Sequence, residues 1–368
     1  MHDAVPPRKV DACGFQFGAV HEDLSGGFFK VFSELNMTSR GYFNQRIRDS
    51  KGDFFELFPY PGAEISYPSM VGRPAWDAIV ENVKAEDPKV LFFNTFQRGN
   101  IFKWAEQFNL PTLGVVHNAR KFARDEVCVS MAQDERYEAF CLSPHVADKL
   151  VELVPGLAGR THVHYPYAWM PEGADRYETG RDCLDIVIPG AVTFMNRDFE
   201  GLLDYLEADG DNASRPFRLS ILAGGPDRGR LEEEIANRKL DRFFNLAPLD
   251  PETRRVPHPY VLRKLYTCDA ILPLLPAGRQ DYLTSKVTTG IMTALGIARP
   301  IIAPPAVGKA YGFTPIELPA DRPFDLTSAD LSEATLADRR RESLEIREKG
   351  LADNHTSLKR VLQKHSVI

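Results

Sequence analysis

The chain predicts an α/β fold of two Rossmann-like, doubly wound domains facing each other across a cleft, with a C-terminal helix packing back. Strand-like apolar runs alternate with helical runs along its whole length, the pattern of parallel sheets covered on both faces. The alternation pauses once, at 168–182, where Gly, Pro and charge accumulate without periodicity. At 368 residues, 43% of them hydrophobic, there is material for two cores. These observations place an N-terminal domain at 1–170, a linker at 171–182, a C-terminal domain at 183–328 and a helical segment at 329–368.

In the first half, strands are expected at 10–17, 89–94, 112–118, 138–143 and 162–167. Helices are expected between them at about 27–35, 75–85, 98–109 and 144–154. The last has a start signal, Ser143 as N-cap with Pro144 at the first helical position. Between 41 and 72 the pattern is mixed, and Phe54, Phe55, Phe58 and Tyr60 imply a strand and a loop. After the linker the alternation restarts: strand 185–190, helix 199–206, strand 217–224, helix 230–238 and strand 243–247. Helix 260–268, strand 270–275, helix 286–295 and strand 300–304 follow. From about 329 the chain reads as a charged helix with Leu336, Leu344, Leu351, Leu358 and Leu362 spaced for packing.

A net charge of −6 argues against a nucleic-acid partner, because no basic excess exists to neutralise phosphates. No apolar run approaches the roughly 18–20 residues that span a bilayer. The first nine residues lack the apolar core of a signal peptide, so a cytoplasmic chain is expected. Cys13, Cys128, Cys141, Cys183 and Cys268 are odd in number and never spaced as Cys-x-x-Cys, which favours buried thiols over disulfides or zinc ligands.

The most telling segment is Asp281-Tyr282-Leu283-Thr284-Ser285-Lys286, followed by a small-residue stretch and Arg299-Pro300-Ile301-Ile302-Ala303-Pro304. An apolar strand there ends in a polar loop that delivers Thr284, Ser285 and Lys286 to a helix N-terminus. Free backbone N–H groups, the positive end of the helix dipole, two hydroxyls and a cation are what a phosphate wants. A lysine at a helix start opposes the dipole and calls for an anion. Ser285 and Thr284 read equally well as helix caps, and Gly190 and Gly290 as turn or packing glycines.

In its two-domain alternation and this loop, the chain resembles the GT-B glycosyltransferases, specifically relatives of glycosyltransferase family 4. Four places carry the resemblance: Gly26-Gly27 after the first strand; Val115-Val116-His117-Asn118; Ile188-Pro189-Gly190-Ala191 with Arg197-Asp198-Phe199-Glu200-Gly201; and Thr284-Ser285-Lys286 with Pro300-Ile301-Ile302 behind. The resemblance implies transfer of a glycosyl group from a nucleotide-diphosphate sugar to a glycan or lipid-linked acceptor. It implies no cofactor or metal, and at most peripheral contact with the inner face of a membrane. Family 4 enzymes usually carry two glutamates eight positions apart here, the second holding the ribose. That position falls at Thr293 counted back from Pro300, or at Thr289 counted from Lys286, and neither is acidic. A ribose carboxylate and the stereochemical outcome therefore do not carry over.

Transfer needs a leaving diphosphate stabilised as its charge grows, and the resemblance assigns this to Arg197 and Lys286. Gly26, Gly27 and Gly190 would bring backbone close to the donor, and Asp281 would bind its sugar or merely solubilise a loop. His117 would hydrogen-bond a donor hydroxyl or take part in proton transfer; a satisfied core histidine is the bland reading. Asp23 or Glu22, with His21 beside them, would supply a base for an inverting reaction. Asn94 and Thr95 fall at the same edge, or simply cap a loop. Asp209-Gly210-Asp211 spells a metal motif of other transferases but sits among turn residues. His162-x-His164 has strand spacing for a metal pair yet no third ligand. The run Arg339-Arg340-Arg341 reads as a solvated helix face. Two other readings keep the fold: a sugar-nucleotide epimerase, and a catalytically silent glycan-binding or scaffold module, which the missing acidic pair favours.

Overall fold

A computed structural model of the chain describes residues 8–18, 21–96, 99–167 and 181–368. It divides into two compact units. One comprises Met1–Trp169 together with Leu351–Ile368, the other Met170–Gly350. The expected linker at 171–182 lies outside the described residues except for its last two positions.

The first unit is built on seven parallel strands: β1 (Ala12–Gln16), β2 (Ser39–Phe43), β3 (Ala63–Ser66), β4 (Val90–Phe93), β5 (Thr112–Val116), β6 (Tyr137–Cys141) and β7 (Thr161–Val163). Their order is β3-β2-β1-β4-β5-β6-β7, so the winding reverses between β1 and β4. β1, β4, β5 and β6 are buried along their whole length, which is why they read as continuous apolar runs. The stretch 41–72 is richer than the expected strand and loop. It holds most of β2, all of β3 and two helices, Gln45–Lys51 and Phe54–Leu57. Asp53 caps the second of these, accepting from the amides of Phe55 and Glu56.

Helix α1 (Ser25–Glu34) crosses one face of this sheet. Its Phe28, Phe29 and Phe32 recur one helical turn apart and meet Phe92 of β4 at centroid distances of 5.1, 5.3 and 5.6 Å. The neighbouring Phe93 points to the opposite face and packs on Phe15 and Phe96, both at 5.0 Å.

The second unit carries β8 (Leu184–Ile188), β9 (Phe217–Ile221), β10 (Phe244–Leu246) and β11 (Ala270–Ile271), all parallel, in the order β10-β9-β8-β11. Here the winding reverses between β8 and β11. Ile271 also bridges to Ile301, next to a small pair of β12 (Ile302–Ala303) and β13 (Ile316–Glu317). Helix α2 (Phe199–Asp209) lays Leu202, Leu203 and Leu206 on this core, and Asp198 caps it by accepting from the amide of Gly201. Helix α3 (Thr289–Gly296) follows β11, and α4 (Glu333–Lys364) ends the chain. Through Gly350, α4 belongs to the second unit, with Leu336 in its core; from Leu351 it belongs to the first. Cys13, Cys128, Cys141 and Cys268 are buried free thiols and Cys183 is exposed. No helix among the described residues is long and apolar enough to cross a membrane.

Candidate functional site

In open α/β sheets, ligands bind beyond the carboxyl ends of the strands where the winding reverses. In the second unit that place lies after β8 and β11, on the loops that carry Arg197 and Lys286. Gly190 follows β8 with φ of +85°, and a side chain at that position would collide with the Arg197 guanidinium. Glycine supplies both the backbone conformation and the room. Arg197 is 7% exposed, and its Nη1 donates to the carbonyl of Pro273, just past β11. Arg197 therefore spans the switch point. No carboxylate among the described residues lies within ion-pair distance of it. Burial alone pushes its pKa down to about 10, with Tyr282 as a weak counterweight.

A buried guanidinium without a carboxylate is expensive unless an anion arrives.

Lys286 joins the same cluster through Tyr282. Its Nζ lies 4.3 Å from the ring centroid and donates to the hydroxyl at 3.0 Å. Lys286 is not at a helix start, however. The expected helix at 286–295 begins at Thr289, and a separate turn, Asp281–Thr284, precedes it. The cause is Tyr311, whose hydroxyl accepts from the Thr288 amide at 3.0 Å and donates to the Tyr282 carbonyl at 3.0 Å. That pins Thr288 in extended conformation, so the helix can form only after it. Thr284 is exposed and donates to the Gln280 carbonyl at 3.0 Å, a helix back-bond rather than a phosphate contact. Ser285 is 1% exposed and its Oγ has no hydrogen-bond partner among the described residues. Thr289 and Thr293, the two alternatives for the ribose position, lie four apart on one half-buried face of α3.

Asp281 is already engaged. Arg279 grips it with Nε and Nη2 at 2.9 and 3.0 Å, which holds its carboxyl below the ordinary range. Arg279 and Tyr282 are the members of this cluster that sequence reasoning missed. An arginine two residues before an aspartate, with a tyrosine next, is too common a pattern to signal a site.

In the first unit, the carboxyl ends of β1, β4 and β5 carry a second cluster. His117 Nε2 lies 2.7 Å from the Asn94 carbonyl and 3.2 Å from Thr95 Oγ1, and its ring stands 4.8 Å from that of His21. A carbonyl only accepts, so Nε2 carries the proton and Nδ1 keeps the lone pair. Burial, then His21 and Lys121, push the His117 pKa down to about 3. His117 is therefore a fixed neutral acceptor. It is poorly suited to proton transfer near neutrality.

Asn94 also donates from its side chain to the His21 carbonyl, tying the His21 turn to β4. Glu22 is buried and its Oε1 is paired with Lys51 at 2.7 Å, so it braces the Glu22–Leu24 turn instead of standing ready as a base. Asp23 is half-buried beside Tyr60, whose ionisation it opposes. Gly26 and Gly27 lie in the first turn of α1. The space a side chain would need there is filled by the Tyr60 hydroxyl and the His164 ring. Both are packing glycines in this unit.

Arg340 is buried, so the run Arg339-Arg340-Arg341 is not the wholly solvated face expected. Asp211 pairs with Arg242 at 2.8 Å on the surface. His162 bonds Glu138 at 2.8 Å, whereas His164 stacks on Phe28 at 4.0 Å, so the two rings serve different partners.

Solved structures share this architecture over nearly the whole chain. HepE of Anabaena, in complex with UDP and glucose, has a TM-score of 0.64 at 10% identity, covering 96% of this chain and 100% of that one. The fold is GT-B. Sucrose-phosphate synthase of Thermosynechococcus elongatus gives a TM-score of 0.60 at 13% identity, covering 97% and 99%. A glycosyltransferase from Rickettsia africae gives 0.54 at 13%, covering 96% and 98%. No family model matches the sequence, and no curated protein does. At these identities the likeness speaks for the GT-B fold alone.

Proposed function

We propose that this GT-B chain is a metal-independent glycosyltransferase of the family 4 kind, moving a sugar from a nucleoside-diphosphate donor to a glycan or lipid-linked acceptor. One observation carries the reading: Arg197, a buried cation with no carboxylate partner among the described residues, sits where the second sheet reverses. As the glycosidic bond breaks, negative charge builds on the departing diphosphate, and a preorganised cation in a water-poor place stabilises that charge more than it stabilises the ground state. Lys286, held over Tyr282, adds a second cation from the loop after β11. The buried Ser285 hydroxyl and the first amides of α3 add neutral donors. The acceptor would be served by the first unit, where neutral His117 offers Nδ1 to a sugar hydroxyl. Solved structures of the same fold hold UDP or UDP-glucose, which makes uridine nucleotides the first donors to try.

The test is hydrolysis and transfer with uridine-, guanosine- and adenosine-diphosphate sugars, alongside calorimetry with the matching diphosphates. Lys286→Ala should abolish turnover while leaving the fold intact, because the residue is half-buried and stands outside the apolar core of the second unit. Full activity in that variant removes the assignment. Absence of binding to every nucleoside diphosphate favours the second reading, a silent glycan-binding module. The non-acidic Thr289 and Thr293 speak for that alternative.

A further inference from the structure

We propose that Arg279 and Asp281 form a brace that positions the two phosphate-gripping loops, so that Asp281 strengthens the binding of a dianionic ligand despite its own negative charge. The inference deepens the function proposed above and rests on it. Arg279 has every hydrogen-bonding face occupied. Nε and Nη2 form a fork on Asp281 at 2.9 and 3.0 Å. Nη1 donates to Asn196 Oδ1 at 2.6 Å and to the Met195 carbonyl at 3.1 Å. Its guanidinium also lies 4.9 Å from the Tyr282 ring centroid, the ring that carries Lys286 at 4.3 Å.

These contacts join separate loops. Met195 and Asn196 immediately precede Arg197 on the loop after β8, whereas Asp281, Tyr282 and Lys286 lie on the loop after β11. The planar guanidinium links the two in a fixed geometry that an ammonium cannot reproduce. Without Asp281, Arg279 loses the partner that sets its plane, and the peptide before Arg197 loses its anchor to the Lys286 loop. Asp281 thus acts through Arg279. It is a positioning residue, not the sugar ligand that its place in the sequence invites.

Positioning and simple electrostatics give opposite signs, which makes Asp281→Asn the decisive variant. If Asp281 were only a nearby negative charge, its removal would tighten binding of a diphosphate. As a brace, its removal loosens both loops, and affinity for UDP falls by roughly tenfold or more, the worth of a lost charge-assisted hydrogen bond. Calorimetry with UDP reads this directly. Arg279→Lys, which keeps the charge but not the fork, is expected to weaken UDP binding about as much as Arg279→Ala. Hydrogen exchange on the unliganded protein supplies a readout that needs no ligand: all three variants should speed exchange at 193–197 and 280–288 while β8 and β9 stay protected.

Unchanged or tighter UDP binding by Asp281→Asn overturns the proposal, as does rescue by Arg279→Lys. If the unaltered protein binds no nucleoside diphosphate, the proposed function falls. The exchange pattern then still decides whether the brace exists.

Discussion

At the residue scale, the first-half histidines show how far burial can separate identity from role. His117 ends a strand, and that was readable because an apolar run stopping at His-Asn sits where an α/β sheet presents ligands. Which ring nitrogen keeps its lone pair was not readable, since that depends on a carbonyl 23 residues earlier in the chain. His164 is the sharper case. It is 0% exposed, stacks on Phe28, and has no hydrogen-bond partner among the described residues at either ring nitrogen; burial lowers its pKa to about 3. The folded state keeps this ring neutral while the unfolded chain protonates it near pH 6.5, so the unfolded state binds more protons and stability falls as pH drops below that value. His164→Met fills similar space without titrating. Between pH 7 and pH 5 it should lose less stability than the unaltered protein, by about 2 kcal/mol. Urea unfolding at the two pH values measures it, and parallel losses in both proteins would refute the argument.

At the element scale, long periodic segments were legible and their ends were not. The expected helix at 27–35 is present as α1, because three phenylalanines on one face mark it out. The strands β2 and β3 were half hidden, because aromatic-rich sequence fits a strand or a buried turn equally well. The start of α3 was misplaced by three residues, because a tyrosine 23 positions downstream takes the Thr288 amide. Helix ends are set by such remote partners elsewhere too. The carbonyl end of α3 is closed by Arg347, whose Nε donates to Gly296 O at 2.9 Å, and that of the helix His258–Thr267 by buried Arg299, which donates to Leu265 O and Tyr266 O. Both place a cation on the negative end of a helix dipole. Arg347→Ala should therefore destabilise the protein by on the order of 1–3 kcal/mol, the worth of a buried charged hydrogen bond. Chemical denaturation measures the loss. A change below about 0.5 kcal/mol, the range of an ordinary surface substitution, would show that the dipole contact contributes nothing.

At the scale of the whole molecule, the chain's end is a working part of its beginning. Leucine spacing revealed that the C-terminal helix packs, but not what its polar residues do. In the first unit Leu358, Val361 and Leu362 are buried, and Asn354 pairs with the backbone of Tyr165, accepting from its N–H at 2.7 Å and donating to its C=O at 2.6 Å. Glu138 of β6 closes the end of the helix. It is 0% exposed, and its carboxylate accepts from His162 on β7 at 2.8 Å, from Lys364 at 2.6 Å and from His365 at 2.9 Å. Burial raises its pKa, but those three donors outweigh burial and leave it below the ordinary value. A lowered carboxylate pKa stabilises the fold above the unfolded value, near 4.3, and that contribution disappears as pH falls through the folded one. Glu138→Gln keeps the volume but turns an N–H₂ group toward donors, so at pH 7 it should be less stable by on the order of 2 kcal/mol. The deficit should shrink below about pH 4, as the native carboxylate itself protonates. Hydrogen exchange locates the effect: faster exchange is expected in β7 and in residues 354–365, with β8 and β9 unchanged. Equal stability at pH 7, or faster exchange that spares the C-terminal residues, would mean that the apolar stripe of the helix holds it in place without Glu138.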